Sequence, residues 1–273
     1  VADYLTLLLL GVVQGFTEFL PVSSSGHLVL LETLTGFNPP GVVVEVALHV
    51  ATLLAVLIYY FRDAAEILRF RPGARVSRPG LYFLYLALAT AVTVAFIYPL
   101  RHFLEGLTEG PHATLALVFT FTATALMMIA ADRVIRSSAV RAREVTSLGI
   151  LSVLAIGLVQ GIAALPGISR SGSTIFAGLL LGLRREEAAR FSFLLFVPAA
   201  ILAAIYELLQ LEGGSLAFPP ALIGPLIVGF LAALVCGLLA IRFLLAVLHR
   251  ARLSWFAVYL VVAALVSLSV SRW

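Results

Sequence analysis

The chain has 273 residues, 62% of them hydrophobic and 12% charged, with a formal charge of +4. That leaves too few polar residues to coat a soluble domain of this size, so the long apolar stretches are read as membrane spans of one integral domain. All eighteen basic residues are Arg, gathered mainly in short segments between apolar runs, which points to membrane topology and away from nucleic acid.

The chain opens Val1-Ala2-Asp3 without a basic region or clear cleavage site, and reads as mature structure rather than a signal peptide. Residues 4–35 are apolar but broken by Pro21-Val22-Ser23-Ser24-Ser25-Gly26. Three stretches long enough to cross as helices follow, at 42–61, 80–100 and 113–131. Residues 146–182 are again apolar and again broken, by Pro166-Gly167-Ile168-Ser169-Arg170-Ser171-Gly172. Three more spans are expected at 188–210, 219–248 and 253–271; the lone Cys236 lies in an apolar run and cannot form an intramolecular disulfide. Each half of a broken region is too short to cross alone, which favours re-entrant pairs.

The segments 62–79, 132–144, 183–190 and 249–252 are rich in Arg, whereas 101–112 holds Arg101 against Glu105 and Glu109, and 211–219 holds Glu212 and no base. The positive-inside rule places the Arg-rich group in the cytoplasm. The expected fold is therefore an all-α integral membrane protein with six transmembrane helices and two re-entrant helix-loop-helix pairs. The first pair enters from outside and the second from inside.

The two broken regions resemble each other. Gly11, Gln14, Gly15, Ser23, Ser25 and Gly26 recur 146 residues later as Gly157, Gln160, Gly161, Ser169, Ser171 and Gly172. With opposite entry sides this is an inverted-topology repeat, with halves at about 1–131 and 145–273 and a site between the discontinuous helices. The Gly pairs have a plainer use in close helix packing.

Each break offers hydroxyls at the start of a short helix, where free N–H groups and the helix dipole favour anions. Taken singly, such Ser residues are also ordinary caps. Arg170 in an apolar segment needs an anionic partner, either a phosphate held bidentately or Glu18 as a structural pair. Gln14 and Glu18 share a helix face, and His27 follows just past the Ser cluster. A carboxylate, a His, several hydroxyls and an Arg make a phosphoryl-transfer constellation. Glu45 and His49 share one face of the first span and are candidates to line the same cavity. Asp3, Glu32 and Glu207 read as interface residues. His102, His112 and His249 are given no role.

The segments GVVQGFTEFLPVSSSGH and PGISRSGSTI closely resemble the two signature motifs of the bacterial undecaprenyl-diphosphatase family, also known for bacitracin resistance. The resemblance covers essentially the whole chain, including EVALHVATLLAVLIYYFRD and RFSFLLFVPA. It implies hydrolysis of undecaprenyl diphosphate to the monophosphate carrier lipid of cell-wall synthesis, at the outer face of the bacterial cytoplasmic membrane.

Carried over by motif, Glu18 is the strict acidic position and expected metal ligand, and Ser24 and His27 are candidate nucleophiles, with direct water attack also open. Arg170 is expected to clamp phosphate, with Ser169 and Thr174 contacting it. Gln14, Ser23, Ser25, Gly26, Ser171 and Gly172 complete the expected substrate site. Gln14 stands where many members have Glu, and Ser25 where many have Thr. The family implies a divalent cation, Mg²⁺ or Ca²⁺. A flippase or transporter of the same lipid is the competing expectation, and a homodimer is left open.

Overall fold

The computed structural model describes residues 2–35, 42–71, 73, 75–109, 113–137, 143–210, 220–250 and 252–271. The expectations about His112, residues 138–142 of the Arg-rich 132–144 segment, and the 211–219 segment with Glu212 lie outside the described residues, as do those about the side chains of Asp3, Glu32, Arg101, Glu105 and Glu109. The described residues form eleven α-helices and no strand; the one β feature among them is an isolated bridge between Arg143 and Leu183.

In chain order the helices are α1 Ala2–Phe19, α2 Ser24–Thr35, α3 Val42–Tyr59, α4 Phe61–Leu68, α5 Pro79–Glu109 and α6 Ala113–Arg136. After a 3-10 turn at Val145–Ser147 come α7 Ile150–Ile162, α8 Arg170–Leu180, α9 Arg185–Gln210, α10 Ile223–His249 and α11 Ser254–Val270.

Among the described residues, α5, α6, α9 and α10 are long and apolar enough to cross a membrane, and α3 with α4 forms a fifth candidate bent by 81°. Of the six expected spans, α3 and α11 thus fall short as single helices by length. The expected loop 62–79 contains α4, because FRDAAEIL is amphipathic: it buries Asp63 and Ile67 and exposes Phe61 and Leu68. The charges at Arg62, Asp63 and Glu66 cannot continue into hydrocarbon, so the chain turns at Tyr60. Helix α5 runs past residue 100 to Glu109, and α6 past 131 to Arg136.

Both broken regions break where the sequence does. α1 gives way to α2 across Leu20–Ser23, and α7 to α8 across 163–169. Pro21 and Pro166 cannot extend a regular helix without losing an N–H donor. The chain then reverses through Ser23 at φ 70° and Gly167 at φ 85°.

The recurring glycines do the same work in both halves. α1 packs on α10, where a Cβ on Gly11 would fall on the Gly229 carbonyl, and one on Gly15 would lie 2.6 Å from the Ala233 carbonyl oxygen. α7 packs on α5, where a Cβ on Gly157 would meet the Ala89 backbone and one on Gly161 would lie 2.9 Å from the Phe96 ring. Such backbone approach needs small residues. Thr93 of α5 donates to the Gly157 carbonyl at 2.8 Å. α6 packs on α11, and α3 on both α9 and α10.

The outer faces are apolar, with Phe119, Leu126, Leu151, Leu231, Val258 and Leu265 all exposed. Polar groups lie inside, as a lipid solvent demands.

The Arg-rich segments meet at one end of the molecule. Asp63 is fully buried and takes both Arg75 and Arg190 at 3.2 Å. Arg190 also reaches Glu187 at 2.9 Å, and Arg184 lies 3.7 Å from Glu144. Arg185 donates to the carbonyl of His249 at 2.9 Å, and Arg143 N–H to that of Gly182 at 3.1 Å.

Candidate active site

The two breaks are built alike at the hydrogen-bond level. Ser23 Oγ accepts from Gly26 N–H at 3.3 Å and lies 3.4 Å from Ser25 Oγ. Ser169 Oγ accepts from Gly172 N–H at 3.1 Å and lies 3.2 Å from Ser171 Oγ. The next backbone bond also matches: His27 N–H donates to the Ser23 carbonyl, and Ser173 N–H to that of Ser169. Ser23 and Ser169 therefore act as helix caps, which satisfy otherwise orphaned donors.

The breaks also abut. Ser171 Oγ donates to the Leu20 carbonyl at 3.2 Å. A Cβ on Gly172 would sit 3.0 Å from the Pro21 ring, and one on Gly26 would sit 2.9 Å from the Gly167 Cα. Both glycines are therefore where one turn presses on the other.

At this junction the last turn of α1 meets the first turn of α8. Glu18 is 7% exposed. Its Oε1 accepts from Arg170 Nη2 at 2.5 Å, and its Oε2 from Ser24 Oγ at 2.8 Å and Gln14 Nε2 at 3.0 Å. His49 Nε2 of α3 lies 3.9 Å from the same Oε2, while its Nδ1 pairs with the Glu45 carbonyl at 3.0 Å. The Arg170 guanidinium lies over the Phe196 ring of α9, 4.0 Å from its centroid. Phe196 in turn packs edge-on against Phe19.

Two buried atoms of the cluster have no protein partner: Arg170 Nη1, a donor, and Gln14 Oε1, an acceptor. A buried guanidinium with an unspent donor is suited to a phosphate oxygen.

The other expected site residues are placed differently. Thr174 is buried and spends its hydroxyl on the Arg170 carbonyl at 2.9 Å and on Ser192 of α9 at 2.6 Å. Ser25 is exposed. His27 faces α11 and α6: its Nδ1 pairs with the Ser23 carbonyl and its Nε2 with Tyr259 OH, both at 2.7 Å. Both ring nitrogens are thus engaged away from Glu18. Among the described residues no group of three or more His, Cys, Asp or Glu is placed to hold a metal ion.

Sequence reasoning missed Phe196, Tyr259 and Thr124. Thr124 of α6 donates to the Gly167 carbonyl at 3.0 Å and accepts from Ser169 N–H at 3.3 Å, fastening the second break. Nothing marks any of the three within its apolar run. His49 was marked by its polarity, but nothing in the sequence gave its distance to Glu18.

The cluster can orient a hydroxyl against a carboxylate and hold an anion on Arg170. A family model described as bacitracin resistance protein BacA matches residues 7–266. The chain is 40% identical over 274 residues to an undecaprenyl-diphosphatase of Rubrobacter xylanophilus, with 97% of each chain covered. It is 38% identical to one of Moorella thermoacetica, with 95% of each covered, and 37% to one of Idiomarina loihiensis, with 97% of each covered.

Proposed function

The chain belongs to the bacitracin resistance protein BacA family, and from that premise we propose that it is an undecaprenyl-diphosphatase, hydrolysing undecaprenyl diphosphate to undecaprenyl phosphate and inorganic phosphate. The observation that carries the reading is Ser24 Oγ held at 2.8 Å from a Glu18 carboxylate that is itself paired with Arg170.

In the proposed reaction, the terminal phosphoryl group enters beside Arg170, whose Nη1 donates to its oxygens. Ser24 Oγ attacks the terminal phosphorus as its proton passes to Glu18 Oε2. The bond from that phosphorus to the bridging oxygen breaks, and undecaprenyl phosphate leaves with the bridging oxygen and takes up the proton. Water then attacks the phosphoserine and gives its proton to Glu18; the phosphorus–Oγ bond breaks, phosphate departs, and Ser24 Oγ takes the proton back from Glu18. Arg170 stabilises the charge that develops on the phosphoryl oxygens. α2 and α8 start at Ser24 and Arg170, and a helix start favours an anion.

A divalent cation, Mg²⁺ or Ca²⁺, belongs to the same proposal. Glu18 and the unpaired Gln14 Oε1 offer hard oxygen ligands, and such ions commonly complete their shell with phosphate oxygens and water. One carboxylate and one amide oxygen fit an ion shared with the diphosphate better than a cage made by protein alone. The ion's contribution would be to neutralise charge on the phosphate oxygens.

The membrane arrangement is proposed as six crossings, with α1/α2 and α7/α8 as re-entrant pairs related as inverted repeats. The matched caps at Ser23 and Ser169 and the matched packing of α1 on α10 and α7 on α5 support it. The Arg-rich end is assigned to the cytoplasm of a bacterial inner membrane and the site to the outer side. A transporter of the same lipid has no task for a hydroxyl set against a carboxylate, and the relatives are named for hydrolysis.

The test is phosphate release from a polyprenyl diphosphate by the purified protein, with and without chelator. Arg170→Ala and Glu18→Ala are each expected to lose at least about 10³-fold in kcat/KM, since each removes a charge-assisted contact made to the transition state. Ser24→Ala should leave no trappable phosphoenzyme. Full activity in Ser24→Ala would exclude the covalent route, and full activity in Arg170→Ala would exclude the clamp.

A further inference from the structure

Ser23 is one of two non-glycine residues with positive φ among the described residues. An L-residue persists in that region only where its surroundings hold it. Ser23 ends the turn that sets Ser24 Oγ against Glu18, so whatever holds it also aims the nucleophile.

Three ties to Ser23 are local: its Oγ caps Gly26 N–H and lies beside Ser25 Oγ, and its carbonyl accepts from His27 N–H. The fourth leads out of the element. The Ser23 carbonyl can only accept, so His27 Nδ1 is the donor in their 2.7 Å bond. In the neutral ring Nε2 is then an acceptor, and Tyr259 OH donates to it at 2.7 Å. The two rings also stack, with centroids 5.5 Å apart and planes 4° from parallel, and Phe121 of α6 meets the imidazole edge-on. α2 has little other packing on α11. The second break is held across its own interface in the same sense, by Thr124 of α6 on the Gly167 carbonyl and Ser169 N–H.

We infer that Tyr259 is a positioning residue for hydrolysis: acting through His27, it fixes the Ser23 turn that presents Ser24 to Glu18. This rests on the hydrolase reading, and it gives His27 the work of a strap. An imidazole with one nitrogen donating to a backbone carbonyl and the other accepting from a phenol has no free lone pair for phosphorus.

The test combines steady-state hydrolysis of a polyprenyl diphosphate with amide hydrogen exchange of the 20–27 segment in detergent. Tyr259→Phe keeps the stacked ring and loses the hydroxyl. It is expected to lower kcat about tenfold with KM unchanged, since Arg170 is untouched, and to speed exchange in 20–27. His27→Asn keeps a side-chain donor at the Ser23 carbonyl, and should match Tyr259→Phe. The double variant should lose no more than either single, because both break one chain of contacts. His27→Ala should fall further, on the order of 10²-fold.

Wild-type kcat and exchange in Tyr259→Phe would overturn the inference. So would a His27→Asn protein as inactive as His27→Ala with wild-type exchange, because the imidazole itself would then be needed. If wild type releases no phosphate, the hydrolase reading fails, while the exchange comparison still decides whether Tyr259 holds the turn.

Discussion

Glu18 makes each of its side-chain hydrogen bonds to a group that the proposed chemistry also uses. Arg170, Ser24 and Gln14 converge on a single carboxylate that is almost withdrawn from solvent. Removing one partner of a buried ion pair strands the other, at a cost of about 3–5 kcal/mol, while replacing both by apolar groups can be near neutral. Glu18→Leu and Arg170→Met should therefore each lower the melting temperature in detergent, and the double variant should recover most of the loss while staying inactive. A double variant no more stable than the worse single would show that the pair is not coupled. Glu18 and Arg170 were legible because a charge in an apolar segment is costly and calls for a reason, and Ser24 because it stands in the hydroxyl-rich break of a recognisable motif. Phe196 and Tyr259 were not, since an aromatic residue in an apolar helix carries no mark of what its face or hydroxyl will meet. His27 was legible as polar, but its bonding direction depends on α11, more than two hundred residues away.

Helix ends carried the sequence signals that held best. Both breaks contain the Pro that interrupts the apolar pattern and end at a Ser, Ser23 and Ser169, because those residues change the backbone options locally. The bend from α3 into α4 was not legible as a helix, since a short segment carrying three charges, Arg62, Asp63 and Glu66, looks like a loop until Asp63 finds Arg75 and Arg190. The glycines on α1 and α7 make a prediction at this scale. Gly11→Val and Gly157→Val each place branched carbons on a neighbouring backbone, on Gly229 and Ala89 respectively. Each should destabilise by at least about 1–3 kcal/mol, the usual range for overpacking. Val at Gly106, where a Cβ would meet nothing within 4 Å, should leave the melting temperature much nearer wild type. Thermal unfolding in detergent reads all three, and equal losses would remove the special standing of the two packed glycines.

For the whole molecule, composition and the distribution of Arg gave the class and the end at which charge collects. The pairing of α1 with α10 and of α7 with α5 was beyond the sequence, because a small residue announces close packing without naming its partner. The proposed sidedness has a direct check in a Cys236→Ser background. Glu45→Cys, at an exposed position on α3, should react with an impermeant maleimide added outside intact cells, while Arg75→Cys should react only after permeabilisation. The reverse pattern would invert the assignment. The crossed pairing also bears on how the protein is made. α1 leaves the ribosome well before α10, so the glycine face of α1 has no lasting companion until α10 has been translated. At about 5–20 residues per second that interval is roughly 10–40 s. Over most of it Glu18 also waits for Arg170, a buried acid in a nascent chain without its counter-charge. Biogenesis of this fold is thus a closing clasp: the site forms only once α8 has arrived, and a chain stalled before it offers the cell's membrane quality control an unmated helix and a lone carboxylate.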